Sequence, residues 1–396
     1  MPDERRTTEG LAERLARPGP KRLLSLDGGG IRGILSLAYL EAIEAMLRRR
    51  YGRADLCLAD HFDLIGGTST GALIATMLAL GWTVADARAA YLNLSADVFR
   101  PRRYWGLGPV GRAIASRFSA QPLEAILESI LGDASLDSPK LRTGLMIIAK
   151  RIDTASVWPL TNLPTARYYD DWTHPEGQRL PGNRHLKLRE LLRASTAAPT
   201  LFRPKSLTAA GTPSEAMFVD GAVSAHNNPS LMLLMVAVLD GFGLHWPLGP
   251  DELLLCSVGT GRFSRTDSAA VVARYTNIDW AQVLVPQMIG DTMELVETVL
   301  QWMSVSPTAR RIDSMIGSVE TTLGGDRGLV SYVRYDATIS VPALAALGLD
   351  VDDAHIARLR DMSSVAAIPD LLMLGTHVQN TVRDEHFPVA FVEHAA

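Results

Sequence analysis

The residues best suited to chemistry are a serine and an aspartate, each set in a glycine-rich turn. Ser69 is the centre of Gly67-Thr68-Ser69-Thr70-Gly71, which fits G-x-S-x-G. Flanking glycines permit the sharp strand-to-helix turn that exposes a serine Oγ, and a following helix N-terminus favours developing negative charge. Alone the pattern is weak, because it recurs by chance in roughly one chain in six of this length. Its setting strengthens it: the strand pattern Phe62-Asp63-Leu64-Ile65 precedes a turn over 66–71, and 72–80 reads as a helix. The plain alternative is a glycine-rich turn. Asp220 opens Asp220-Gly221-Ala222 after the apolar Met217-Phe218-Val219. An aspartate before glycine at a strand end is ordinarily only a turn, so its case depends on its company.

That company includes Asp27-Gly28-Gly29-Gly30-Ile31-Arg32-Gly33, which follows the strand candidate 22–26. Gly28, Gly30 and Gly33 satisfy G-x-G-x-x-G, the dinucleotide fingerprint. That fold needs an acidic residue at the end of the next strand to hold a ribose, and here the strand ends in Gly66 and Gly67. Nor does G-K-[ST] occur. Consecutive glycines at a helix start leave several N–H groups to converge on one oxygen, so Gly28, Gly29 and Gly30 read better as an oxyanion hole. Losing one such donor typically costs about 10²–10³ in rate.

A serine nucleophile needs a base. Nine histidines are present, none in a recognisable triad motif. His226 lies in the polar turn 224–229, His61 precedes its strand at the end far from Ser69, and His377 and His386 belong to the C-terminal helical region. A carboxylate can replace imidazole if it is hydrogen-bonded to the serine in a water-poor pocket.

The elements that must position these residues alternate strand, glycine turn and helix. A helix pattern over 34–50 carries Leu37, Leu40, Ile43 and Leu47 on one face. Further buried strands are expected at 144–149 and 253–258, and helices at 186–194, 280–303, 351–360 and 371–383. Two successive strand–turn–helix units imply an α/β fold with a mostly parallel central sheet flanked by helices. The helix over 280–303, with Pro286 inside it, is expected to pack on the core rather than serve as a lid or dimer face.

Bulk composition is that of an ordinary globular chain: 396 residues, 47% hydrophobic and 21% charged. A net charge of −4 gives no electrostatic reason to expect a nucleic acid partner. Cys57 and Cys256 make neither a disulfide framework nor a metal-ligand pattern, and no metal or cofactor is expected. The charged N-terminus lacks the apolar segment of a secretory signal, and no apolar run is long enough to span a bilayer. The expectation is a cytoplasmic protein.

Taken together, DGGGIRG at 27–33, GGTSTGA at 66–72 and DGA at 220–222 resemble the patatin-like phospholipase family. Ala194-Ser195-Thr196-Ala197-Ala198-Pro199-Thr200, Asn227-Asn228-Pro229 and Ser257-Val258-Gly259-Thr260-Gly261 are similar to secondary stretches of that family. The resemblance is firm over 22–262. It implies a three-layer fold and a Ser69–Asp220 dyad without histidine, forming an acyl-enzyme on phospholipids or other acyl lipids. Asp27, Gly33, Gly67, Gly71 and Gly221 would support the motifs. Arg32 would hold the loop or meet a lipid phosphate, with a solvated or capping arginine as the plainer alternative. The expected organisation is a flexible tail over 1–20, a catalytic core over 21–262 and a helical C-terminal part over 263–396 packed on the same domain.

Further expectations concern partners. Substrate would be met peripherally at the inner face of the membrane, and the aromatic and arginine-rich stretch 99–105 is either an interfacial patch or an ordinary covering loop. Short bacterial relatives suggest an antiviral effector switched on by a cyclic nucleotide, and a homo-oligomer is a further expectation. Open alternatives are a non-phospholipid esterase or acyltransferase using the same dyad, a catalytically silent binding module, and, third, a dinucleotide-binding oxidoreductase.

Overall fold

In the computed structural model the described residues are 10–99, 116–175, 177–208, 215–263, 268–319, 323 and 328–392. The first strand, β1 (Lys21–Leu26), is buried along its whole length, as expected of a strand covered on both faces. It pairs in parallel with β2 (Leu64–Thr68) on one side and with β7 (Gly249–Val258) on the other. β2 pairs in parallel with β3 (Gly144–Arg151). Beyond β3 the sheet turns antiparallel, through β4 (Ser156–Thr161), β5 (Lys205–Leu207) and β6 (Ala216–Asp220). On the far side β8 (Ser304–Val305) and β9 (Val330–Tyr335) extend it in parallel, giving the order β8-β9-β7-β1-β2-β3-β6-β5 with β4 also on β3.

Alternate residues of each strand enter different cores. Leu24, Leu26, Ile65, Ile147 and Val333 belong to one apolar cluster, with α2 (Gly33–Tyr51), α3 (Thr70–Ala79), α4 (Val84–Val98), α5 (Gln121–Leu131) and α9 (Ile368–Val378). Leu23, Leu64, Met146, Ile148 and Tyr332 belong to the other, with α7 (Ser230–Val238) and the last turns of α8 (Asn277–Met303). The two-residue period of the strands thus makes three layers: helices, a mostly parallel sheet, helices. The α/β reading of the sequence holds.

Several boundaries differ from the expectation. Residues 10–20 are not a free tail: α1 (Leu11–Ala16) buries Leu15, and the Arg14 guanidinium donates to the Phe62 carbonyl at 3.1 Å. The part after 262 is not only helical, since β9 runs within the main sheet. Only the C-terminal half of α8 packs on the core, through Val296 and Leu300, whereas over 277–292 Val283 is the one buried side chain among those described. Phe99 is buried edge-on against Phe118 at 5.6 Å, while 100–105 lie outside the described residues.

β9 also carries the partner of the glycine loop. Arg334 donates to Asp27 at 2.9 Å (Nη1 to Oδ1) and 2.6 Å (Nη2 to Oδ2), to Ser257 Oγ at 2.7 Å and to Asp336 at 3.0 Å. Both Asp27 and Arg334 are buried. Burial raises the Asp27 carboxyl to about 6, with the Arg334 guanidinium opposing the rise. Removing one member of such a pair strands the other charge and typically costs about 3–5 kcal/mol, whereas removing both costs much less. Arg334→Met is therefore expected to unfold at much lower denaturant, and Asp27→Asn added to it is expected to recover part of the loss, the rest staying with Asp336, which also loses its cation. Equal midpoints for the single and double variants would contradict the pairing.

Candidate active site

The site is built where two strands end against one edge of a third. β2 runs along β3 until Thr68 stands opposite Ile148. β6 runs the other way and reaches its last residue, Asp220, opposite Ala149. Ser69 and Asp220 therefore meet across the gap between two strand ends. Ser69 Oγ donates to Asp220 Oδ2 at 2.6 Å.

Local sequence makes the turn possible. Ser69 has φ 55° and ψ −122°, a backbone that an L-residue adopts only under strain of order 1–3 kcal/mol. Gly67 and Gly71 allow it: a Cβ on Gly67 would lie 2.3 Å from the Gly71 carbonyl, and one on Gly71 would lie 2.2 Å from the Leu26 carbonyl oxygen. Hydrogen bonds then fix the turn. Ser69 N–H donates to Ser195 Oγ at 2.9 Å, and Ser195 Oγ donates to the Ile148 carbonyl at 2.6 Å. Ser195 ends α6 (Leu188–Ser195), so a neighbouring helix clamps the elbow onto β3.

Asp220 is held as firmly. Its Oδ1 accepts from Ala222 N–H at 2.8 Å, and its own N–H donates to the Ala197 carbonyl at 3.0 Å. Gly221 sits so close to β3 that a Cβ there would meet the Ile148 carbonyl oxygen at 2.7 Å. Burial raises the Asp220 carboxyl to about 7, the bonds from Ser69 and Ala222 opposing the rise. A base poised near neutrality can take a proton from the serine and return it.

The glycine loop lies against this pair. A Cβ on Gly28 would be 3.4 Å from Ser69 Cβ and 2.3 Å from Asn227 Oδ1. One expectation needs correcting here: Gly28 N–H donates to the Asn227 carbonyl at 3.0 Å and so is not a free oxyanion donor. Among the described residues no hydrogen bond is made by the N–H groups of Gly29, Gly30 or Thr70, the last being the first residue of α3. The loop itself is pinned. Thr260 Oγ1 donates to the Gly28 carbonyl at 3.0 Å, Thr70 Oγ1 to the Gly30 carbonyl at 3.0 Å, and Ile31 N–H to the Met362 carbonyl at 2.8 Å. Gly30 takes φ 56°, and Gly33 leaves room for Thr70 and the Tyr91 hydroxyl. Arg32 donates to the Gly29 carbonyl at 3.3 Å and stacks its guanidinium on Phe263 at 4.9 Å, which makes it a brace for the loop.

Among the described residues no histidine bonds to Ser69 or Asp220. The His226 carbonyl accepts from Thr68 Oγ1 at 2.6 Å, but its ring Nδ1 is buried without a partner and burial lowers its pKa. His61 bonds to Tyr51 and His386 to Tyr335, both away from the dyad. No cluster of metal-ligating residues occurs among the described residues.

The geometry agrees with what known proteins share with the chain. The patatin-like phospholipase profile matches residues 24–234, more than half of the sequence. The chain belongs to the patatin-like phospholipase family. It is accordingly a lipid acyl hydrolase. It is 28% identical over 275 residues to patatin-17 of Solanum cardiophyllum, covering 66% of this chain and 67% of that one. To patatin-03 of Solanum tuberosum it is 27% identical over 273 residues, with the same coverage. Among solved structures, VipD from Legionella pneumophila aligns over 90% of this chain and 67% of its own, at 13% identity and a TM-score of 0.35, too loose to bear on function.

Sequence reasoning assigned no role to Ser195, Asn227 or Thr260, although the family-like segments containing them stood out. Arg334 gave no signal, being one arginine in a strand with no motif.

Two outcomes follow from the geometry. Ser195→Ala leaves the Ser69 N–H and the Ile148 carbonyl short of a partner and is expected to lower stability by about 1–3 kcal/mol in chemical denaturation. Asp220 bears on stability with a definite sign. Its raised carboxyl destabilises the fold increasingly as pH climbs from the ordinary carboxyl value to about 7, and by a constant amount above. Asp220→Asn is therefore expected to raise the melting temperature more at about pH 8 than at about pH 5. An equal or reversed gain would contradict the buried, cation-free setting of this carboxyl.

Proposed function

We propose that the chain is a phospholipase A-type enzyme that cleaves acyl esters of membrane phospholipids through a Ser69–Asp220 dyad. The observation that carries this reading is the 2.6 Å bond from Ser69 Oγ to a buried carboxylate whose pKa burial raises to about 7. Ser69 Oγ attacks the ester carbonyl as its proton passes to Asp220. The tetrahedral oxyanion is met by N–H groups of Gly29, Gly30 and Thr70, and Asn227 keeps Gly28 in register beside them. Collapse breaks the ester C–O bond, and Asp220 returns the proton to the departing lysolipid alcohol. Water then attacks the acyl-serine with Asp220 again as base, releasing the fatty acid and restoring Ser69. A preorganised donor set of this kind supplies much of such a rate enhancement.

No helix among the described residues is long and apolar enough to cross a membrane. The test is free fatty acid release from mixed phospholipids by the intact protein. Release that falls by about 10³ or more in both Ser69→Ala and Asp220→Asn is expected. Lysolipid as the co-product supports the phospholipase reading; acyl transfer or hydrolysis of other esters alone would replace it. Cyclic nucleotides added to the same assay decide the effector expectation, by acceleration or an unchanged rate.

A further inference from the structure

The N-terminal half of α8 is an apolar surface that the dyad does not explain. Ile278 is 70% exposed and Met288 63%, with Trp280, Leu284 and Val285 exposed beside them, and Leu295 (62%) and Trp302 continue the exposed row along the outer side of the C-terminal half. At helical spacing Trp280, Leu284, Met288, Leu295 and Trp302 fall within about 80° of one another. That face lies opposite Val296 and Leu300, which are buried in the core. An outward apolar face of this size on a helix already anchored by its inner face calls for an apolar environment on its other side.

Charge and shape select the occupant. Across Asn277–Met303 there are four acidic residues, Asp279, Asp291, Glu294 and Glu297, and no lysine or arginine. Asp279 is tied into a capping box with Thr276, and Glu294 and Glu297 pair with Arg310. Such a face gains nothing from an anionic surface, so its attraction must come from burying apolar area. A helix–helix seam with a second copy is the poorer fit. Asp291 and Thr298 interrupt the row Met288, Leu295, Trp302, and the exposed Ile278 and Val285 fall on the Val296 side of the helix, so the exposed apolar residues form no single coiled-coil stripe. At the start of the helix Tyr275 and Trp280 pack edge to face at 5.1 Å, an aromatic pair suited to headgroup depth.

The helix is also joined to the dyad. Asn227 Nδ2 donates to Met293 Sδ at 2.9 Å, the Asn227 carbonyl accepts from Gly28 N–H, and Gly28 lies against Ser69. From Met293 back to Asn277 the helix runs about 24 Å.

We propose that this half of α8 enters a zwitterionic phospholipid surface and so seats the Ser69 site at its substrate. The proposal rests on the lipid-hydrolase reading and adds the element that docks. The experiment floats the intact protein, in a Ser69→Ala background, with phosphatidylcholine vesicles, with and without phosphatidylglycerol, beside Leu284→Gln/Met288→Gln. In the Ser69 background, release of fatty acid from vesicles and hydrolysis of a short soluble ester are measured for the same pair. The expected result is vesicle binding that anionic lipid and salt barely change. It falls about tenfold or more in the double variant, with vesicle turnover falling alike and soluble-ester turnover unchanged. Failure to bind phosphatidylcholine, binding that needs phosphatidylglycerol, or a dimer in light scattering that the double variant splits without loss of flotation would each overturn it. Loss of soluble-ester turnover in the unmodified protein would instead defeat the dyad reading, with flotation still deciding this one.

Discussion

Everything chemical in this molecule depends on two strands that end head to head along β3. Because Thr68 stands opposite Ile148 and Asp220 opposite the next residue, Ala149, the pleat of one strand fixes the distance between the Ser69 hydroxyl and the Asp220 carboxyl. No third residue is needed to orient the pair. The orientation that a histidine triad obtains from its aspartate comes here from main chain: Ala222 N–H on one carboxyl oxygen and the Ala197 carbonyl on the Asp220 amide. The strain in Ser69 is tolerable because β3, α6 and the glycines around it leave the elbow no other path.

Two buried aspartates show how environment assigns roles. Asp27 accepts both arms of Arg334, so its charge is matched and its work is structural, holding the glycine loop to the C-terminal strand. Asp220 has a serine and one amide but, among the described residues, no cation in hydrogen-bonding contact, and burial lifts it to about 7. One carboxylate is a post, and the other has the setting of the base proposed above. The same division appears in α8, whose C-terminal half joins the core while its first half is left apolar and exposed.

Much of this was legible in the sequence because motif and period coincide. Apolar runs at β1, β2, β3 and β7 and glycine turns at 27–33 and 66–71 carry both the α/β layering and the serine elbow. What was not legible came from contacts between distant segments. Arg334 has no local pattern, and its partner Asp27 is 307 residues away. The commitment of Gly28 N–H to Asn227 is a matter of tertiary register that no spacing reveals. The helix over 280–303 misled for a physical reason: apolar residues at helical spacing predict a buried face, and periodicity does not say which of two apolar faces meets the core.

The central claim is that Asp220 alone activates Ser69, and it is most directly tested by labelling. A fluorophosphonate that reacts with activated serines, followed by intact-mass and peptide analysis, should add one group, on Ser69. The labelling rate should rise with pH and level off above about 7, as the raised Asp220 carboxyl ionises. It should collapse in Asp220→Asn and persist in His226→Ala. Labelling that survives Asp220→Asn, or disappears with His226→Ala, would contradict the account.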